Sequence, residues 1–219
     1  MNLPNKLTIF RLILVPIMVI VPFLGMTGEV FNIPSENLII IGIFALASFT
    51  DLLDGKIARK YNLITTFGKF ADPLADKILV LSAMLMLVEN DKLPAWIPII
   101  VLAREFIVSG YRLIAVEKGG KVIAANIWGK IKTVTQMIGI IFMFLDRFPY
   151  AKFIFSTTNE QTAIGSSALI YMTTGQYIFN IITTLLITMS VIATVFSGWK
   201  YLKEGKDLLK DWNRRLNNE

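Results

Sequence analysis

The sequence has no cysteine and no histidine. The first absence excludes a disulfide framework and thiolate chemistry. The second removes the commonest general base and the phosphohistidine nucleophile. Any catalysis must therefore rest on carboxylates, Lys, Arg, hydroxyls or a bound metal ion. There is also no internal repeat, no low-complexity tract and no sign of a second domain, so residues 1–219 read as a single unit.

What is abundant is apolar. Hydrophobic residues make up 54% of the 219 positions and the mean hydropathy is +0.60. Soluble domains hold about 45–50% apolar residues even with Gly counted, so a membrane protein is the first expectation. A transmembrane helix needs about 20 mainly apolar residues. Six stretches qualify: 7–25, 37–55, 73–88, 94–116, 131–145 and 175–199. The third is short unless it begins before Pro73. The first is too long and too rich in proline for a signal peptide, and no small-residue cleavage site follows it. The expected fold is an all-α membrane protein of six transmembrane helices. Pro16, Pro22 and Pro98 read as kinks or packing features, and Trp96, Trp128 and Trp199 as an interfacial belt.

Charge placement orients these spans. With a cytoplasmic N-terminus, Lys6, Arg11, the segments 56–77 and 112–132, and the tail from Lys200 all lie inside. Of 22 Lys and Arg, the other side receives Lys92, Arg147 and Lys152, while Arg104 falls within a span. This is the positive-inside pattern, and it places both termini in the cytoplasm. It accounts for the net charge of +6 and removes the case for nucleic-acid binding. The tail, 200–219, reads as a basic helix on the anionic inner surface. The outer segment 146–174 reads as a surface loop with one short hydrophobic dip.

The informative stretch is DLLDGKIARKYNLITTFGKFADPLAD, residues 51–76. Asp51 and Asp54 are three apart, and Asp72 and Asp76 four apart, so each pair shares a helix face. Two adjacent helices can then aim four carboxylates at one spot near the cytoplasmic surface. Such charges repel strongly at low dielectric unless protonated, paired or holding metal. Oxygen-only donors suit Mg²⁺ or Mn²⁺, and the lack of His and Cys disfavours zinc. Gly55, Ala58 and Gly68 remove bulk beside the acids, and Arg59 supplies a cation suited to phosphate. Carboxylates, metal and cavity together suggest phosphoryl transfer. A lone Asp at a helix end is often just a solvated boundary, but ionisable groups within a membrane are functional by default.

The pattern D-x-x-D-G-x-x-A-R, eight residues, then G-x-x-x-D-x-x-x-D is present without departure, as Asp51, Asp54, Gly55, Ala58, Arg59, Gly68, Asp72 and Asp76. It resembles the signature of the CDP-alcohol phosphatidyltransferases, and the six-span layout is similar over most of the chain. The flanks LPNKLTIFRLILVP (3–16), AREFIVSGYR (103–112) and IWGKIKTVTQ (127–136) resemble the bacterial members that use glycerol 3-phosphate as acceptor. The resemblance implies transfer of a phosphatidyl group from CDP-diacylglycerol to glycerol 3-phosphate, giving phosphatidylglycerophosphate and CMP. It implies Asp51, Asp54 and Asp72 as ligands of two Mg²⁺ or Mn²⁺ ions, and Asp76 as a further ligand or the base; Asp76 is the expected base, with Asp72 the alternative. Gly55, Ala58, Arg59 and Gly68 would line the CDP pocket. Asn5 and Thr8 would approach it, or cap the first helix. The resemblance also implies a homodimer in the bacterial inner membrane, working on its cytoplasmic side.

The acceptor's phosphate calls for cations separate from the metal. Arg104 sits mid-span, where a charge costs about 2.5–3.5 kcal/mol on insertion scales unless paired or wetted. Arg112 lies two turns on along a similar face, and Lys130 opens the next span at the same side. These three are the expected phosphate ligands, with pairing of Arg104 to Glu105 or an aspartate the competing role. Lys132 reads as a positive-inside charge. Two rival functions remain: the same chemistry on inositol phosphate, serine or phosphatidylglycerol, and a cation transporter built on the aspartates.

Overall fold

The computed structural model describes residues 2–31, 33–60, 66–117, 127–152, 162–163, 169–170 and 172–216. Within these, the side chains of 52, 54–60, 66–67, 69–70, 112–117, 127–128, 130, 162–163, 169–170 and 204–216 fall outside the description. The protein is mostly helical. Among the described residues, six α-helices run in order: α1 (Leu3–Ile20), α2 (Ser35–Lys60), α3 (Thr66–Glu89), α4 (Trp96–Glu117), α5 (Ile127–Leu145) and α6 (Thr174–Leu216). A 3₁₀ turn, Val21–Leu24, extends α1 and ends at Gly25 in the left-handed region, φ 61°. Two small antiparallel hairpins complete the description. One pairs β1 (Glu29–Val30) with β2 (Ile33–Pro34); the other pairs β3 (Thr162–Ala163) with β4 (Leu169–Ile170).

The six apolar stretches each fall on one of these helices. The third begins at Thr66, well before Pro73, which lies inside α3. Asp72 and Asp76 are therefore about two and three turns into a helix. The basic tail does not form a separate element: α6 continues from the sixth apolar stretch through to Leu216. Among the described residues, two helical segments are long and apolar enough to cross a membrane, Leu3–Leu24 and Thr174–Lys203, with mean hydropathies of 2.5 and 2.1. Ile131–Leu145 is a shorter apolar helix.

Side-chain placement on α6 reverses that of a soluble helix. Ile178, Ile182, Leu185, Met189, Ile192, Phe196 and Trp199 are exposed, repeating every three or four residues along one stripe. Asn180, Thr183, Thr184, Ser190, Thr194 and Ser197 are buried. Water would drive the two faces the other way round; hydrocarbon imposes no such penalty, and buried Ser and Thr suit helix contacts within lipid. Helix α1 repeats the arrangement, with Phe10, Ile13, Ile17 and Ile20 outside and Asn5, Thr8 and Arg11 inside.

The chain packs as two compact units. The first comprises Met1–Pro94 and Ile140–Thr184, the second Ala95–Gly139 and Leu185–Glu219. In the first unit, α1 lies against both α2 and α3. The contact face of α3 is a stripe of period four, Ala71, Ala75, Leu79, Ala83 and Leu87, all buried. Alanines at its start let the backbone of α1 come close, whereas a longer side chain would force the helices apart. Met18, Ile40 and Phe44 fill the rest of this core.

At the far end of the same unit, α3 closes with a Schellman turn. The N–H of Asp91 reaches the Val88 carbonyl (3.1 Å) and that of Lys92 the Leu87 carbonyl (2.9 Å), with Asp91 left-handed at φ 54°. This turn delivers Lys92 to the end of α5, where its Nζ donates to the carbonyls of Asp146 (2.6 Å) and Phe144 (3.4 Å). Asn37 Nδ2 donates to the same Phe144 carbonyl at 3.0 Å. Asp146 accepts from the Phe148 N–H (3.0 Å) and from Asn180 Nδ2 (2.9 Å). These bonds satisfy carbonyls that a helix C-terminus leaves open.

Candidate active site

The aspartate signature occupies the last turns of α2 and the early turns of α3. Asp54, Gly55, Ala58 and Arg59 lie on α2, and their side chains are outside the described residues. Asp51, Asp72 and Asp76 are described, each partly buried, and Gly68 is buried.

Helix α1 holds two of these carboxylates. Thr8, wholly buried, donates its hydroxyl to Asp72 Oδ1, with the Pro4 carbonyl 3.1 Å away as a second acceptor. Arg11, also wholly buried, places Nη1 2.8 Å from Asp51 Oδ1. Its Nε donates to the Ala47 carbonyl at 3.3 Å. Thr8 and Arg11 are three residues apart and so share one face of α1. One carboxylate from α2 and one from α3 are thus drawn to within a single turn of α1. The buried guanidinium requires its partner: deleting one member of a buried ion pair typically costs about 3–5 kcal/mol. Asn5, expected near the nucleotide, is also buried on α1.

The donor set fits a hard divalent cation, since every acid here is a carboxylate and the chain has no nitrogen or sulfur donor of the zinc type. Among the described residues, no three acids gather closely enough to hold a metal ion; Asp54, the fourth carboxylate of the signature, lies outside that set.

A second charged group forms within the other unit. Glu105 of α4 accepts on Oε1 from Lys132 of α5 at 2.5 Å and from its neighbour Arg104 at 2.8 Å. Arg104 Nη2 donates to Ser197 of α6 at 2.5 Å, and its guanidinium lies 5.9 Å from the Tyr201 ring centroid. Close packing at Gly198 seats the stem: a Cβ there would meet Arg104 Cγ at 3.3 Å. Of the three expected phosphate ligands, Arg104 is placed in this group, while the side chains of Arg112 and Lys130 are outside the described residues. Arg104 is paired with Glu105, the competing role read from the sequence. Lys132 is buried and bonded rather than lying on an open surface.

Sequence reading named Glu105 as a partner of Arg104 but missed Arg11 and Lys132 as members of these groups. The signal was available for Arg11, three residues after Thr8 in an otherwise apolar span. For Lys132 it was weaker, because a lysine near the end of an apolar stretch already has an expected role as a positive-inside charge.

Comparison with known proteins adds the family. The CDP-alcohol phosphatidyltransferase model matches residues 1–196, and the chain belongs to that family. Its curated relatives include a CDP-diacylglycerol–glycerol-3-phosphate 3-phosphatidyltransferase of Bacillus subtilis, 39% identical over 97% of this chain and 99% of the relative. A protein of the same name from Rickettsia felis is 32% identical over 94% of this chain and 96% of its own length. One from Haemophilus influenzae is 42% identical over 64% of this chain and 73% of its own. The family is generally dependent on a divalent metal.

Proposed function

We propose that this protein is a membrane enzyme that transfers the phosphatidyl group of CDP-diacylglycerol to glycerol 3-phosphate, releasing CMP. The observation that carries the reading is the convergence of Asp51 and Asp72, from two helices, onto Thr8 and Arg11 of a third. A bundle interior tolerates clustered carboxylates when they have a cation to bind. Long relatives named for this reaction support the choice of donor and acceptor.

In this reading Asp51, Asp54, Asp72 and Asp76 hold two divalent ions, Mg²⁺ or Mn²⁺. When bound, these supply neutralisation of the pyrophosphate charge and a better leaving group in CMP. Gly55, Ala58 and Gly68 leave room for the nucleotide, Arg59 faces its phosphates, and Asn5 and Thr8 border it from α1. Asp76 takes the proton from the acceptor hydroxyl as that oxygen attacks the lipid-bearing phosphorus. Direct attack suits a chain without His or Cys. Arg104, Arg112 and Lys130 bind the acceptor phosphate, and Lys132 joins them through Glu105.

The wider setting belongs to the same proposal. Six spans, with both termini cytoplasmic, place the signature at the inner face of a bacterial plasma membrane, where lipid donor and water-soluble acceptor meet. The chain works as one domain and as a homodimer; the family match, which draws on both packed units, supports the single domain.

The test is CMP release by purified protein in detergent, with CDP-diacylglycerol and Mg²⁺ or Mn²⁺, with and without glycerol 3-phosphate. Release that needs both metal and glycerol 3-phosphate is expected. Release with serine, inositol phosphate or phosphatidylglycerol instead would keep the chemistry and change the acceptor. Metal-dependent ion flux in liposomes without CMP release would replace the enzyme with a transporter.

A further inference from the structure

Arg11 is a full charge with 0% exposure, so it cannot touch a substrate. It grips one helical turn of α2 at both ends. Nη1 lies 2.8 Å from Asp51 Oδ1, and Nε donates at 3.3 Å to the carbonyl of Ala47, the residue four positions earlier. That carbonyl also receives the Thr50 hydroxyl at 2.7 Å. A single guanidinium therefore ties the Asp51 carboxylate to the backbone of its own turn. The planar guanidinium reaches the two acceptors from two different nitrogens, whereas the ammonium of lysine would have to reach both from one atom.

We infer that Arg11 is a positioning residue for Asp51, fixing the plane of its carboxylate so that Oδ2 is the oxygen offered to a divalent cation. The inference rests on the reading of Asp51 as a cation ligand and adds what sets that ligand's geometry. Partners of this kind orient a ligand and tune its affinity, and their loss typically lowers metal affinity about 10–100-fold. Thr8 stands in the same relation to Asp72.

The experiment is Mn²⁺ titration of the purified full chain in detergent, followed by loss of the free Mn²⁺ electron paramagnetic resonance signal. Wild type, Arg11→Met and Arg11→Lys are compared, with thermal unfolding in EDTA and the KM for glycerol 3-phosphate measured on each. The expected result is about a 10–100-fold loss of Mn²⁺ affinity in Arg11→Met, with acceptor KM changed less than about threefold. Arg11→Lys keeps the charge but not the fork, and is expected to lose affinity several-fold. Wild-type Mn²⁺ affinity in a folded Arg11→Met protein overturns the inference. So does a rise in acceptor KM as large as the loss of Mn²⁺ affinity, the mark of a purely structural role. If Arg11→Met does not fold, Arg11→Lys decides: unchanged affinity overturns the inference. Wild-type protein that binds no Mn²⁺ overturns the metal reading itself, and the inference with it.

Discussion

Lys132 and Arg104 meet on a single atom, Oε1 of Glu105, at 2.5 and 2.8 Å. Among the described side chains, two cations share this one carboxylate in a largely buried setting, an arrangement that suits an anionic phosphate. Arg104→Ala should raise the KM for glycerol 3-phosphate about tenfold or more, and that for CDP-diacylglycerol much less. Equal effects on both substrates would make Arg104 a structural residue. Glu105→Gln removes the charge that holds both cations in place. It should lower the unfolding temperature, and glycerol 3-phosphate should restore part of that loss by supplying a replacement anion.

The carboxylates themselves give a sharper expectation. Asp51→Ala, Asp54→Ala and Asp76→Asn should each abolish detectable CMP release while leaving a folded protein, as judged by helical circular dichroism and a cooperative melt, with a lowered unfolding temperature in Asp51→Ala because it strands the Arg11 guanidinium. Normal turnover in any of them would remove the role proposed for that residue.

How far the sequence disclosed this arrangement depends on whether a feature is local. The helices were legible because apolar length and charge boundaries are local: 131–145 and 175–199 lie inside α5 and α6 with nearly the same ends on their apolar side. The start of α3 was hidden, since Thr66 to Asp72 is not apolar enough to register and Pro73 mimics a helix start. The tail looked separate because its composition changes at Lys200, yet nothing there breaks a helix, and α6 continues. Spacing alone put Asp51, Asp54, Asp72 and Asp76 forward as one group. The supports of that group were not legible, because Arg11 and Asp51 are forty residues apart on different helices. The clamp of Lys92, Asn37, Asp146 and Asn180 was invisible for the same reason, each being an ordinary polar residue near a span end.

Thr8 offers a choice between acting through Asp72 and meeting the nucleotide. Its hydroxyl lies within hydrogen-bond reach of Asp72 Oδ1 and of the Pro4 carbonyl. Thr8→Val keeps the shape and removes the donor, and should lower Mn²⁺ affinity about tenfold or more. Thr8→Ser should restore it. If Thr8→Val instead raises the KM for CDP-diacylglycerol with Mn²⁺ affinity unchanged, the hydroxyl serves the nucleotide directly.

The far end of the first unit yields a prediction about pH. Burial lowers the Lys92 pKa from 10.5 to about 8, outweighing the opposing pull of Asp146 and Glu36. Between about pH 8 and 10.5 the unfolded chain holds a proton that the folded protein has released, so the Lys92 contribution to stability rises with pH across that window. Lys92→Met has no such titration. The stability of wild type relative to Lys92→Met should therefore increase by about 2 kcal/mol from pH 7.5 to pH 9.5, read from paired denaturation curves in detergent. Asp146 acts with the opposite sign at acid pH. Burial raises its pKa against the hydrogen bonds from Phe148 and Asn180, so its contribution is lost as pH rises from the ordinary carboxylate range through the raised value. A difference between wild type and Lys92→Met that stays flat from pH 7.5 to 9.5 would mean that the Lys92 ammonium reaches water, and that its bonds to the end of α5 stabilise the charged form as well as bulk solvent does.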